Sequence, residues 1–221
     1  YDEIERIGEL MLQTDYFQKQ ALIGSGHMIA IYKGLSAFSA EGAWKELLEG
    51  ESFIRWFSGC CQRFAEQGAE FAKAFMTLTQ RAFATGRLFA GYSGHLQPAV
   101  LEELINALPA GEAGPAAEPP FFDKAPCAIE IPSDVGYSAV GQNLYACGGA
   151  YTGACAVLSS LMTYSYLWNV VRVQGGAYGT GMNIRMNGDL FCYSYRDPAL
   201  ANTRGAFDGM ADFLEKLLKQ E

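Results

Sequence analysis

The sequence predicts an α+β fold in which helices pack on a largely antiparallel sheet, and three observations carry that prediction. Apolar residues recur at helical spacing through most of the first 108 positions. Asn187-Gly188 lies between two patterned runs, Gly179 to Met186 and Leu190 to Arg196, a strong hairpin signal because both turn positions favour positive φ. Helical periodicity returns on both sides of that hairpin, over 152–171 and after Pro198, so helices bracket the strands instead of alternating with parallel ones.

In chain order, Ile4, Ile7, Leu10, Met11 and Phe17 mark one amphipathic helix from Asp2 to about Leu22. Gly24-Ser25-Gly26-His27 is expected to break it, with Met28 to Tyr32 a short buried strand or a further helical turn, and Ser39 to Leu48 helical again. Phe53, Phe57, Cys60, Cys61 and Phe64 form the stripe of another helix, and Phe71, Phe75, Leu78 and Phe83 that of the next. Arg87 to Tyr92, apolar and bounded by glycines, reads as a strand, and Pro98 opens a helix with the face Val100, Leu101, Leu104, Ile105 and Leu108.

Five of the eight prolines fall between Pro109 and Pro126, which makes 109–126 a linker between modules 1–108 and 127–221. Beyond it, Cys127 to Ile131 and Val135 to Leu144 read as strands around a turn at Pro132-Ser133-Asp134. Val135 to Val171 holds no charged residue, and Thr152 to Val171 is long enough to span a bilayer. Ser159, Ser160, Thr163, Ser165 and Asn169 interrupt it, so the expectation is a helix buried between layers of a soluble protein, with no membrane partner. In a two-residue hairpin loop, Ile184 faces Phe191, Met182 faces Tyr193 and Thr180 faces Tyr195 on an apolar face. Asp197-Pro198 then starts a final helix that buries Ala206, Phe207, Met210, Phe213, Leu214 and Leu217.

A net charge of −8 with scattered lysines and arginines argues against nucleic acid, which needs clustered positive charge. Six cysteines without paired spacing suggest reduced thiols and a cytoplasmic setting. The start at Tyr1 and the final helix running into Glu221 suggest a piece of a longer polypeptide. Only His27 and His95 are available as imidazole ligands, Cys60-Cys61 is too tight to chelate, and no metal site is expected in this chain. Gly91-Tyr92-Ser93-Gly94 misses the nucleophile elbow, and Gly24-x-Gly26 and Gly179-x-Gly181 lack the third glycine of a dinucleotide loop.

What remains is Arg172-Val173-Gln174-Gly175-Gly176-Ala177-Tyr178-Gly179, where an uncharged helix ends in an arginine, a glycine pair and a tyrosine that opens a strand. Each part alone suits a helix stop and a strand start. Together with Leu158 to Val171 before it and Tyr195-Arg196-Asp197-Pro198 after it, the block resembles the C-terminal half of the pitrilysin (insulinase-like) metallopeptidases, in the presequence protease branch. Ala30, Ser36, Ser39 and Gly50, and then Leu88 to Gly94, resemble the stretch that precedes this block in that branch.

The resemblance implies a clamshell of similar α+β domains enclosing a peptide chamber, with an inverted zinc motif in the first domain. Residues 1–108 would be the tail of the third domain and 127–221 the first part of the fourth, two partial repeats that can close into one composite domain. It further implies that Arg172 and Tyr178 contact the substrate and its transition state, with Gly175 and Gly176 shaping the turn at the substrate. The partners would be a peptide substrate and an N-terminal half that carries the zinc, so the chain alone would be inactive. Two rival expectations are a non-catalytic peptide-binding or assembly subunit of a heteromer, and an unrelated structural α+β domain. Tyr178 also shares strand parity with Met182 and Ile184, whose face reads as apolar.

Overall fold

The computed structural model describes residues 2–89, 91, 93–95, 98–112, 114–115 and 117–219. It has the α+β architecture expected: helices around one antiparallel sheet, in the order α1 (Asp2–Leu35), α2 (Ala40–Glu49), α3 (Glu51–Ala82), α4 (Pro98–Ala107), β1 (Gly136–Asn143), α5 (Gly153–Leu161), a π-helical stretch (Met162–Gln174), β2 (Gly179–Ile184), β3 (Asp189–Asp197), α6 (Leu200–Asp208) and α7 (Met210–Leu218). The chain packs as two units, Tyr1–Gln13 with Gly59–Glu118, and Thr14–Ser58 with Pro119–Glu221.

In the first unit, Met11, Cys60 and Cys61 are buried, and Phe64 stacks on Phe71 with ring centroids 6.3 Å apart. Among the described residues of Arg87 to Tyr92 no strand forms: Thr85–Arg87 is a 3₁₀ turn, Leu88 and Phe89 are irregular, and Ala90 and Tyr92 lie outside the described residues. The backbone of Thr85 and Gly86 instead donates to the carbonyls of Pro109 and Gly111, at 2.9 and 2.8 Å.

The second unit carries the sheet, in strand order β1-β3-β2. On one face Leu167 and Val171 of the π-helical stretch pack with Ala177, Cys192, Ala206 and Phe207, and burial pushes the Cys192 thiol up to about 12. On the other face Ile31 and Leu35 of α1 pack with Phe191, flanked by Met28, Ala139 and Tyr193. The sheet is therefore enclosed by helices on both faces, which gives apolar residues of both parities somewhere to go. Glu46 of α2, fully buried, accepts from Lys33 at 3.1 Å and from the backbone and hydroxyl of Ser52, tying the first helices together.

Several elements differ from expectation for identifiable reasons. Gly24 to His27 only kink α1, at Ser25 with φ −134°, and Met28 to Tyr32 remain helical. Tyr137 and Tyr195 donate their hydroxyls to the carbonyls of Ile23 and Gly24 beside the kink, which satisfies acceptors that a regular helix would have used. The two stripes after Glu51 belong to the single helix α3, Cys127 to Ile131 stays irregular, and the last helix is divided at Gly209 into α6 and α7.

The hairpin exists, but its loop has three residues, not two. Arg185 donates to Asp189 at 2.8 Å and Gly188, with φ +87°, donates back to Arg185, so Met186-Asn187-Gly188 is the loop. Gly188 in the left-handed region makes this a turn with a glycine bulge. The register slips by one residue: Thr180 faces Ser194, Met182 faces Cys192 and Ile184 faces Leu190. Phe191 and Tyr193 then pack toward α1 and sit opposite Asn183 and Gly181, where the absence of a side chain leaves room for the Tyr193 ring.

Gly153–Gln174 is long and apolar enough by length and composition to cross a membrane. Here it lies on the sheet, and its hydroxyls have specific work. Thr163 accepts from the backbone of Met182 at 3.0 Å, and Ser159 accepts from Ile184 at 3.1 Å. β2 is an edge strand, so these two side chains cover backbone donors that would otherwise be open to another strand.

Gly34 and Gly141 allow α1 to touch β1 backbone to backbone: a Cβ on Gly141 would lie 2.6 Å from the Gly34 carbonyl oxygen. Gly141→Val should therefore lower stability by about 3 kcal/mol. An unchanged urea midpoint would contradict this packing.

Candidate functional site

The π-helical stretch ends at Gln174, and the turn that follows requires both glycines. Gly175 and Gly176 donate to the Arg172 carbonyl, and Ala177 reaches back to Val171 at 3.2 Å. A Cβ on Gly175 would meet the Val171 carbonyl at 2.6 Å, whereas Gly176 has φ +82°. One glycine is needed for space and the other for a left-handed conformation. The expected turn residues are thus those that let the chain reverse from helix to strand within three positions.

That reversal brings Arg172 and Tyr178 together. The Arg172 guanidinium carbon lies 4.0 Å from the Trp168 ring centroid and 5.8 Å from that of Tyr178. Tyr178 donates its backbone N–H to Arg196 at 3.2 Å, extending the ladder one residue ahead of β2, and its side chain is 67% exposed. Its parity is that of buried Thr180 and Ile184, but it lies beyond the helix end, so the helix does not cover the phenol. None of the ion pairs among the described residues involves Arg172, which leaves its N–H edges open.

A second irregularity meets the first at this point. The β1–β3 register shifts between Gly136 and Ser138, opposite Tyr195 and Arg196, and Arg196 has φ +47°. Such a bulge bends the strand and redirects its side chains. Tyr195 packs edge-on to Tyr178 at 5.8 Å and extends the aromatic array to Tyr137 at 5.6 Å and His27 at 4.8 Å. Sequence reasoning gave no site role to Trp168, Tyr195 or Tyr137. Trp168 is four residues before Arg172 and could have been found from that spacing, whereas the tyrosines come from distant strands.

His27 is the one imidazole of this unit. It is packed among Tyr137, Tyr193 and Tyr195, its Nδ1 is buried without a partner among the described residues, and burial lowers its pKa toward the neutral form. No group of three histidine, cysteine, aspartate or glutamate side chains able to hold a metal occurs among the described residues.

Residues 127–221 match the family described as the PreP C-terminal domain. Across almost its full length the chain is 31% identical to the mitochondrial presequence protease of Danio rerio, covering 95% of this chain and 23% of that protein. It is 28% identical to Protein HypA of Clostridium perfringens (96% and 22%) and 25% identical to the chloroplastic/mitochondrial presequence protease 1 of Arabidopsis thaliana (98% and 21%). The chain spans about a fifth of the length of these relatives.

Proposed function

We propose that this chain is the substrate-contacting C-terminal part of a pitrilysin-type metallopeptidase that degrades short unfolded peptides. The observation that carries it is the pairing of half-buried Arg172 with exposed Tyr178, joined across the Gly175-Gly176 turn inside the segment that matches the PreP C-terminal domain. A guanidinium with open N–H edges and a phenol O–H both donate, and both suit a peptide carbonyl oxygen as it gains negative charge. The pair holds the peptide and stabilises that oxygen, and the glycines keep the backbone low enough for the peptide to approach.

Zinc is the proposed cofactor, held by an N-terminal half outside this sequence, and none of the roles given to these residues runs through it. The chain is then inactive alone and has two partners, that N-terminal half and the peptide. All six cysteines are free, which supports a reducing compartment such as the cytoplasm.

Tyr178→Phe in the full-length protein tests the phenol, because it removes a single O–H from an exposed ring. The expected result is a fall in kcat of about tenfold against a short unfolded peptide, with KM little changed. Unchanged kcat would remove Tyr178 from the mechanism.

A further inference from the structure

We propose that Trp168 is a positioning residue for Arg172, holding the guanidinium by its face so that its edge stays free for the peptide. This rests on the substrate-contacting role given to Arg172 above.

The four-residue spacing puts Trp168 and Arg172 on one helix face, and the winding of the helix aligns them further. In an α-helix, residues four apart are offset by roughly 40° around the axis. In the π-helical stretch Met162–Gln174 each turn takes in more than four residues, so positions four apart come nearly into line. Tyr164, Trp168 and Arg172 are so spaced and stand as one column, with ring centroids of Tyr164 and Trp168 6.1 Å apart and the guanidinium 4.0 Å from the Trp168 ring. Tyr178 closes the far end at 5.8 Å.

The kind of contact matters as much as its presence. A carboxylate would also fix an arginine, but it would occupy the N–H donors and neutralise the charge. An indole face fixes the plane through cation–π attraction and stacking while taking up none of the five donors. An unrestrained arginine would have to give up its rotamer freedom each time a peptide bound. Trp168 removes that freedom beforehand. Half-buried, it is itself held between Tyr164 and the guanidinium.

The test compares Trp168→Ala, Trp168→Leu and Trp168→Phe in the full-length protein, with Arg172→Ala and the double variant Trp168→Ala/Arg172→Ala, in peptide cleavage. Trp168→Ala should lower kcat/KM by about tenfold, mainly through kcat, and Trp168→Phe should recover to within about threefold of the parent. Trp168→Leu, which keeps apolar bulk without a π face, should stay as slow as alanine. The double variant should match Arg172→Ala within about twofold, because the tryptophan acts only through the arginine.

Equal rates for leucine and phenylalanine, or an additive double variant, would overturn the proposal. The leucine–phenylalanine comparison decides it even if the alanine variant fails to fold. If Arg172→Ala alone leaves kinetics unchanged, the role of Arg172 fails first and takes this proposal with it. If Arg172→Ala is slow and every Trp168 variant is normal, only the positioning role fails.

Discussion

Replacing Arg172 with alanine in the full-length protein should lower kcat/KM for a short unfolded peptide by about a hundred- to a thousand-fold, the effect of removing one well-placed oxyanion donor. Arg172→Lys should recover only part of this, remaining about tenfold slow, since an ammonium lacks the planar fork and stacks less well on Trp168. Single-turnover rates with and without saturating peptide separate the two contributions. A loss confined to KM would make Arg172 a binding group only, and wild-type kinetics in both variants would refute its role.

Leu167→Ala should be the most damaging of the single core truncations, lowering stability by about 2–5 kcal/mol. Leu167 is 0% exposed and sits where the π-helical stretch, β3 and α6 meet, against Val171, Cys192 and Phe207. The void would lie inside a cluster whose backbone cannot easily close, because Ser159 and Thr163 fix the helix to β2 through hydrogen bonds. The shift in urea midpoint at constant slope measures it. A change below about 0.5 kcal/mol would mean that the helix is not seated on the sheet as described.

The site was legible in the sequence because it is local. Arg172, Gly175, Gly176 and Tyr178 lie within seven positions, so their contact follows from a helix stop and a strand start alone. Trp168 was missed because the reading stopped at the Arg-to-Tyr block, although its four-residue spacing from Arg172 places the two on one helix face. Tyr195 and His27 were out of reach because sheet pairing and the kink of α1 bring them together. The hairpin shows how a correct element can carry a wrong register: Asn187-Gly188 marks the turn, but Gly188 serves as a bulge, and that one residue re-pairs every side chain across β2 and β3. Cys127 to Ile131 has strand character but finds no partner among the described residues, and a strand without a ladder does not form. Conversely, Ser159 and Thr163, which seemed mere interruptions in an apolar run, are what attaches that run to the sheet.

The hydroxyl attachment of β2 also gives growth of the sheet a direction. With Met182 and Ile184 already donating to Thr163 and Ser159, a new strand meets no free row of donors there, whereas among the described residues no strand pairs with the outer side of β1. The strand edge without such hydroxyl cover is therefore Gly136–Asn143, and the Arg172–Tyr178 rim adjoins the opposite edge of the sheet, at β2. The open edge and the Arg172–Tyr178 rim thus lie on opposite sides of one small sheet.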